Sequence, residues 1–104
     1  MKKIECFLRP EKTGEVVEAL KLAGASGVTV IEVKGFGVER VPDATLHPKV
    51  KLEVLATDGQ LRELLDVVQA EARSGRIGDG KIVVTAVEEV IRVRTGEHGA
   101  AALS

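Results

Sequence analysis

One α+β domain, a four-stranded antiparallel sheet with both helices on one face, is what this sequence predicts, on three observations. At 104 residues the chain has room for one hydrophobic core and no second domain of ordinary size. Apolar residues make up 44% of it and charged residues 30%, a globular balance that argues against disorder. The apolar period switches in the order strand, helix, strand, strand, helix, strand, which divides into two strand-helix-strand halves.

Each element has its own signal. Ile4, Cys6 and Leu8 alternate in a first strand over Lys3 to Leu8, and Pro10 ends it because proline has no amide to donate. A loose turn across Glu11 to Thr13 leads into a helix, since Val16 stands where a capping box on Thr13 would need an acid or an amide. Val16, Val17, Leu20 and Ala23 recur at helical spacing, and Gly24 supplies the stop. Val28 to Val33 is β-branched almost throughout and gives the second strand, running into Lys34-Gly35-Phe36-Gly37, where the glycines mark a bend or a close backbone approach. Residues 38–48 contain Pro42, Asp43 and Pro48 with no sustained period and read as an exposed connection.

Lys51 to Ala56 restores the alternation as a third strand. Asp58 is a good N-cap for a helix bearing Leu61, Leu64, Leu65, Val68 and Ala72, ending near Arg73 to Gly75. Ile82 to Val87 forms the fourth strand, and a short turn at Glu88-Glu89 leads to an extended Val90 to Arg94. The domain is placed at 1–95 and a loose Gly- and Ala-rich tail at 96–104. Right-handed crossovers close these halves into the ferredoxin-like βαββαβ sandwich. Val and Ile on both sides of the strands would leave the uncovered sheet face apolar, which predicts a closed homo-oligomer.

Composition removes several functions. A formal net charge of -1 gives no global attraction to nucleic acid, so no nucleic-acid partner is expected. Two Phe are the only aromatic residues, and the absence of Tyr excludes a tyrosine acid or modification site. The single Cys6 cannot form an internal disulfide, and with two His it falls short of a structural zinc set, so no metal is expected. Charges at Lys2, Lys3 and Glu5 interrupt any apolar leader, and no stretch approaches membrane-spanning length, which predicts a cytoplasmic location.

Three segments could carry chemistry. Ser74-Gly75-Arg76-Ile77-Gly78-Asp79-Gly80-Lys81 puts three glycines and two cations between a helix and a strand, where backbone amides can face phosphate oxygens and Arg76 or Lys81 can neutralise them. The spacing is not a Walker loop, and a helix stop with a tight turn explains the same residues. Arg92 and Arg94, two apart on an extended segment, would project together and repel unless an anion or a carboxylate such as Glu88 or Glu97 sits between them. Gly35-Phe36-Gly37 is the third, with a bulge or hairpin bend as the plain alternative.

In order along nearly the whole chain, these segments resemble the PII signal-transduction family. The resemblance is carried by Met1-Lys2-Lys3-Ile4-Glu5 with Pro10, Gly27-Val28-Thr29-Val30, Glu32-Val33-Lys34-Gly35-Phe36-Gly37, Pro48-Lys49-Val50-Lys51, Gly75 to Lys81, and Ile91-Arg92-Val93-Arg94-Thr95-Gly96-Glu97. It implies a homotrimer that binds an adenine nucleotide (ATP, ADP or AMP) in clefts between subunits and regulates a protein target in nitrogen or carbon metabolism, such as a transporter or a metabolic enzyme. By the same resemblance Gly35, Phe36 and Gly37 are the base of the T-loop, and Thr29 lies near the adenine. Gly78, Asp79, Gly80 and Lys81 belong to the B-loop at the phosphates, with Gly78, Gly80 and Lys81 facing them, and Arg92 and Arg94 reach in from the neighbouring subunit. Lys49 aligns with a contact to 2-oxoglutarate.

The departures are specific. Val38 and Glu39 stand where the family has Arg and Gln, and Glu39, together with Lys49 a possible second-ligand contact, would repel both phosphate and a dicarboxylate unless a metal intervenes, which disfavours magnesium-ATP with 2-oxoglutarate and leaves ADP or AMP at least equal as ligand. The T-loop, 38–48, is shorter than usual and lacks Tyr, so uridylylation in the familiar manner is excluded. A regulatory binding protein is expected rather than an enzyme. For a slow nucleotide phosphatase no base is in position, since His47 in the loop and His98 in the tail both read as solvated. For a structural or metal-binding trimer of the same fold, Cys6, Glu39 and His47 are thin support, and Cys6 reads as core.

Overall fold

The computed structural model describes residues 1–37 and 46–104. Its elements run β1 (Lys2–Leu8), a 3-10 turn (Pro10–Lys12), α1 (Thr13–Leu22), β2 (Thr29–Gly35), β3 (His47–Ala56), α2 (Leu61–Ala72), β4 (Lys81–Ala86) and a second 3-10 turn (Gly99–Leu103). The four strands form one antiparallel sheet in the order β2-β3-β1-β4, the expected ferredoxin-like sandwich. Ile4, Cys6 and Leu8 of β1 and Val50, Leu52, Val54 and Ala56 of β3 face Val16 and Leu20 of α1 and Leu64 and Val68 of α2, and all are buried. Apart from Cys6 and Ala56 these are branched aliphatic side chains, whose burial is worth about 1.5–3 kcal/mol each. Burial pushes the Cys6 thiol up to about 11, so it is core rather than nucleophile.

The helix ends follow their local chemistry. Gly24 takes φ +94 after α1, and the amide of Ala25 reaches back to the carbonyl of Leu20, a Schellman closure. Thr57, not Asp58, makes the capping contacts, in the turn that leads into α2. Thr57 Oγ1 accepts the amide of Gln60 at 3.3 Å, and Gln60 Oε1 accepts the amide of Thr57 at 3.2 Å, a reciprocal capping box. Asp58 instead receives the amino group of Met1 at 2.9 Å, a hydrogen bond that holds its carboxyl below the usual range.

Four sequence expectations are corrected. β3 starts at His47 rather than Lys51, because β2 continues to Gly35 and pairs with it there; β1 ends at Leu8 opposite Val50, so Pro48 has one neighbouring strand, the edge setting in which proline is tolerated. His47 is therefore a half-buried strand residue opposite Gly35. The centre of the open sheet face is charged rather than apolar. Lys3 and Lys51 bridge Glu5 and Glu53 in a grid at 3.2–4.0 Å, with Ile31 and Val33 on one flank and Val83 on the other. Finally, the tail is not loose, for Gly99–Leu103 coils into a 3-10 turn with Leu103 buried.

Candidate functional site

The register places both ends of the proposed site. β4 begins at Lys81 opposite Phe7 and closes at Ala86 opposite Lys2, so the segment 74–80 and the C-terminal residues leave the sheet at opposite ends. Gly35, Phe36, Gly37, Lys49 and Arg9 share the end with 74–80, because β2 finishes, β3 starts and β1 finishes there. Thr29, opposite Glu53, sits further along the open face of β2. Val38 and Glu39 lie outside the described residues.

Inside the loop, Asp79 is the organiser. Its carboxylate accepts the amides of Ser74 and Gly75 at 2.8 Å each, the Ser74 hydroxyl, and Arg9 Nε at 3.2 Å. The Ser74 hydroxyl first, then the two amides and Arg9, hold this carboxyl well below the ordinary carboxylate range against a smaller burial effect. The carboxylate is turned into the loop, so among the B-loop residues Asp79 shapes the turn rather than offering its side chain to an anion. A depressed folded pKa stabilises above the unfolded value of about 4 and is lost only as pH falls through the folded value. The stability gap between the natural chain and Asp79→Asn is therefore expected to be constant from pH 7 to 5 and to shrink below pH 4, while the amide signals of Ser74 and Gly75 hold their positions down to pH 3. Movement of those signals between pH 5 and 4 would contradict it.

Two cations then aim the backbone. Arg9 Nη2 donates to the carbonyl of Ile77 at 2.6 Å, and Lys49 Nζ donates to the carbonyl of Gly78 at 2.9 Å. In a trans peptide the N–H points opposite to the C=O, so the amides of Gly78 and Asp79 face away from both cations. Neither amide donates to an acceptor among the described residues. Gly78 and Gly80 flank Asp79 at φ +98 and +100, and glycines so placed let successive amides curl into a concavity of the kind that suits an anion. Gly80 has a further reason to be glycine, since a Cβ there would lie 1.5 Å from the carbonyl oxygen of Phe7. The Lys81 side chain, at the end of the loop, is exposed and makes no hydrogen bond or ion pair among the described residues. Behind the loop, Cys6, Leu8, Val68, Ala72 and Ile82 floor a cavity of about 210 Å³ rimmed by Arg73 and Lys81.

Sequence reasoning missed Arg9, whose partners lie about seventy positions away in the chain, beyond any local signal. Ser74 with Asp79 was within reach as a side-chain-capped turn. Lys49, expected at a second ligand, is held by the loop itself.

The arginines depart from expectation. Residues 92–96 are a turn rather than an extended strand, closed by the Gly96 amide on the Arg92 carbonyl at 2.8 Å with Gly96 at φ +76. Arg92 Nη1 pairs with Glu97 at 2.6 Å, and Nη2 donates to the main-chain oxygens of Ala102 and Ser104 at 3.3 and 2.6 Å. The Arg94 side chain makes no such contact among the described residues, and Val93 between them is 98% exposed. His98 is exposed, its Nδ1 lying 3.6 Å from Glu89.

A family model described as nitrogen regulatory protein P-II matches residues 1–97. The nitrogen regulatory protein P-II of Azospirillum brasilense is 47% identical, over 99% of this chain and 100% of the relative. That of Rhodospirillum rubrum is 46% identical at the same coverage. The chain belongs to the P-II family. A crystal structure of Arabidopsis thaliana PII bound to citrate shares the fold at a TM-score of 0.87 and 42% identity, covering 97% of this chain and 90% of that one. P-II proteins are regulatory signalling proteins of nitrogen metabolism, and the chain takes its general role from them. Among the described residues, no helix is long and apolar enough to cross a membrane.

Proposed function

We propose that this P-II chain works as a homotrimer that binds an adenine nucleotide between subunits and reports its occupancy to a protein target, a transporter or a metabolic enzyme. One observation carries the reading. The amide concavity at 78–80 with Lys81 lies at one end of β4, while Arg92 and Arg94 follow its other end, about 17 Å away over the five steps between its six residues. No hydrogen bond or ion pair among the described residues joins the two. A phosphate chain gripped by both needs the arginines of a second copy. The exposed Val93 at the tip of the arginine turn and Ile77 in the loop, 65% exposed, are apolar surface that such a copy would cover.

Gly78 and Gly80 amides with Lys81 would take the phosphates, and Gly35, Phe36, Gly37 and Thr29 would line the base and ribose side. The Arabidopsis relative's citrate is a polyanionic carboxylate, and a second ligand of that chemistry would have to draw Lys49 from the Gly78 carbonyl. With Val38 and Glu39 after Gly37, ADP or AMP is favoured over magnesium-ATP with 2-oxoglutarate.

Calorimetry with ATP, ADP and AMP, with and without magnesium and 2-oxoglutarate, tests this. Saturable binding of up to three nucleotides per trimer, with no gain from 2-oxoglutarate, is the expected result. A flat titration at millimolar nucleotide would sink the reading.

A further inference from the structure

Among the described residues, Arg92 is the most heavily engaged cation outside the loop. Its guanidinium gathers three oxygens, from Glu97, Ala102 and Ser104, on two nitrogens. A phosphate group offers the same thing to an arginine, several oxygens converging on one planar fork. Two of the three acceptors belong to the C-terminal segment, which has its own anchor in the buried Leu103. The entry to that segment is fixed separately. The Glu89 carboxylate accepts the amides of Val90 and Gly99 at 3.1 and 3.2 Å, and Ile91 bridges His98. Gly99 follows at φ +68 and is the natural hinge, because everything beyond it hangs on Arg92 and Leu103.

We propose that residues 99–104 form a latch that competes with phosphate for Arg92, so that nucleotide binding and docking of the tail oppose each other. The proposal rests on the nucleotide reading above and adds its regulation, since the tail becomes the segment whose position reports occupancy. The energetics favour an exchangeable contact. The guanidinium trades one set of charge-assisted bonds for another, leaving the buried area of one leucine to set the balance. Linkage makes the effect reciprocal, so freeing the tail must tighten nucleotide binding by the same factor that nucleotide frees the tail.

Two measurements on the full chain test it. The first is the affinity for ADP of the natural chain, of Leu103→Asp, which evicts the anchor, and of Glu97→Gln, which weakens the hold on Arg92. The second is amide hydrogen exchange at 100–103 in the natural chain with and without saturating ADP. At least threefold tighter binding in Leu103→Asp, and faster exchange at 100–103 with ADP, are expected. Equal affinity in all three proteins, or exchange that ADP leaves unchanged or slows, overturns the latch while the nucleotide site stands. Absence of ADP binding in all three overturns the site and the latch together.

Discussion

Alanine at position 80 is expected to destabilise the chain by about 4 kcal/mol or more, at the severe end for a single substitution. The new methyl carbon would lie 1.5 Å from the carbonyl oxygen and 2.6 Å from the carbonyl carbon of Phe7, and those atoms belong to the backbone of β1 in the middle of the sheet. No rotamer change relieves such an overlap. Position 80 also sits at φ +100, where an L side chain is strained in any case. Gly75→Ala separates the two causes, because position 75 has φ +84 and nothing within 4 Å of its Cβ. It should cost only the conformational term of about 1–2 kcal/mol. Urea midpoints measure both, and similar midpoints for the two variants would refute the close approach of the B-loop to β1.

Mixing two binding-deficient variants is expected to restore binding. Lys81→Ala removes the cation at the loop, and Arg94→Ala removes an arginine without a partner among the described residues. Each alone should weaken nucleotide binding by about 1–3 kcal/mol, roughly 5- to 150-fold. If one site takes Lys81 from one subunit and Arg94 from its neighbour, a mixed trimer contains interfaces where an intact lysine meets an intact arginine, and these bind with natural affinity. A site within one chain yields no such recovery, since every chain lacks one group. Unfolding and refolding the two proteins together, followed by ADP titration, gives the answer. Arg92 is the poorer probe because its removal takes away both a grip on phosphate and the hold on the tail.

The architecture was legible because it rests on local periodicity. Ile4, Cys6, Leu8 and Val50, Leu52, Val54 alternate, Leu61, Leu64, Leu65 and Val68 recur at helical spacing, and each pattern became the expected element. Errors arose where a residue's partner is distant or two neighbours compete for one task. Asp58 is a good cap by type, yet the Met1 amino group takes it and Thr57 with Gln60 makes the capping contacts in the turn before the helix. Arg92 and Arg94 look alike in sequence, but a turn closed at Gly96 gives one to Glu97 and the tail and leaves the other exposed. The charged grid on the open face was readable in Lys3, Glu5, Lys51 and Glu53, had the polar half of the alternation been weighed with the apolar half.

Composition and spacing by themselves decided the sandwich and the glycine-rich turn before β4, and an ordered set of motifs carried the resemblance to the family, since neither a periodic pattern nor a motif order needs knowledge of which residues meet. Only the tertiary structure decided that Asp79 is consumed in shaping that turn, that Arg9 and Lys49 aim its amides, and that the tail is docked on Arg92. Hydrogen bonds and ion pairs act over about three ångströms in space and carry no trace of their partners along the chain, so folding must bring those partners together before their roles exist.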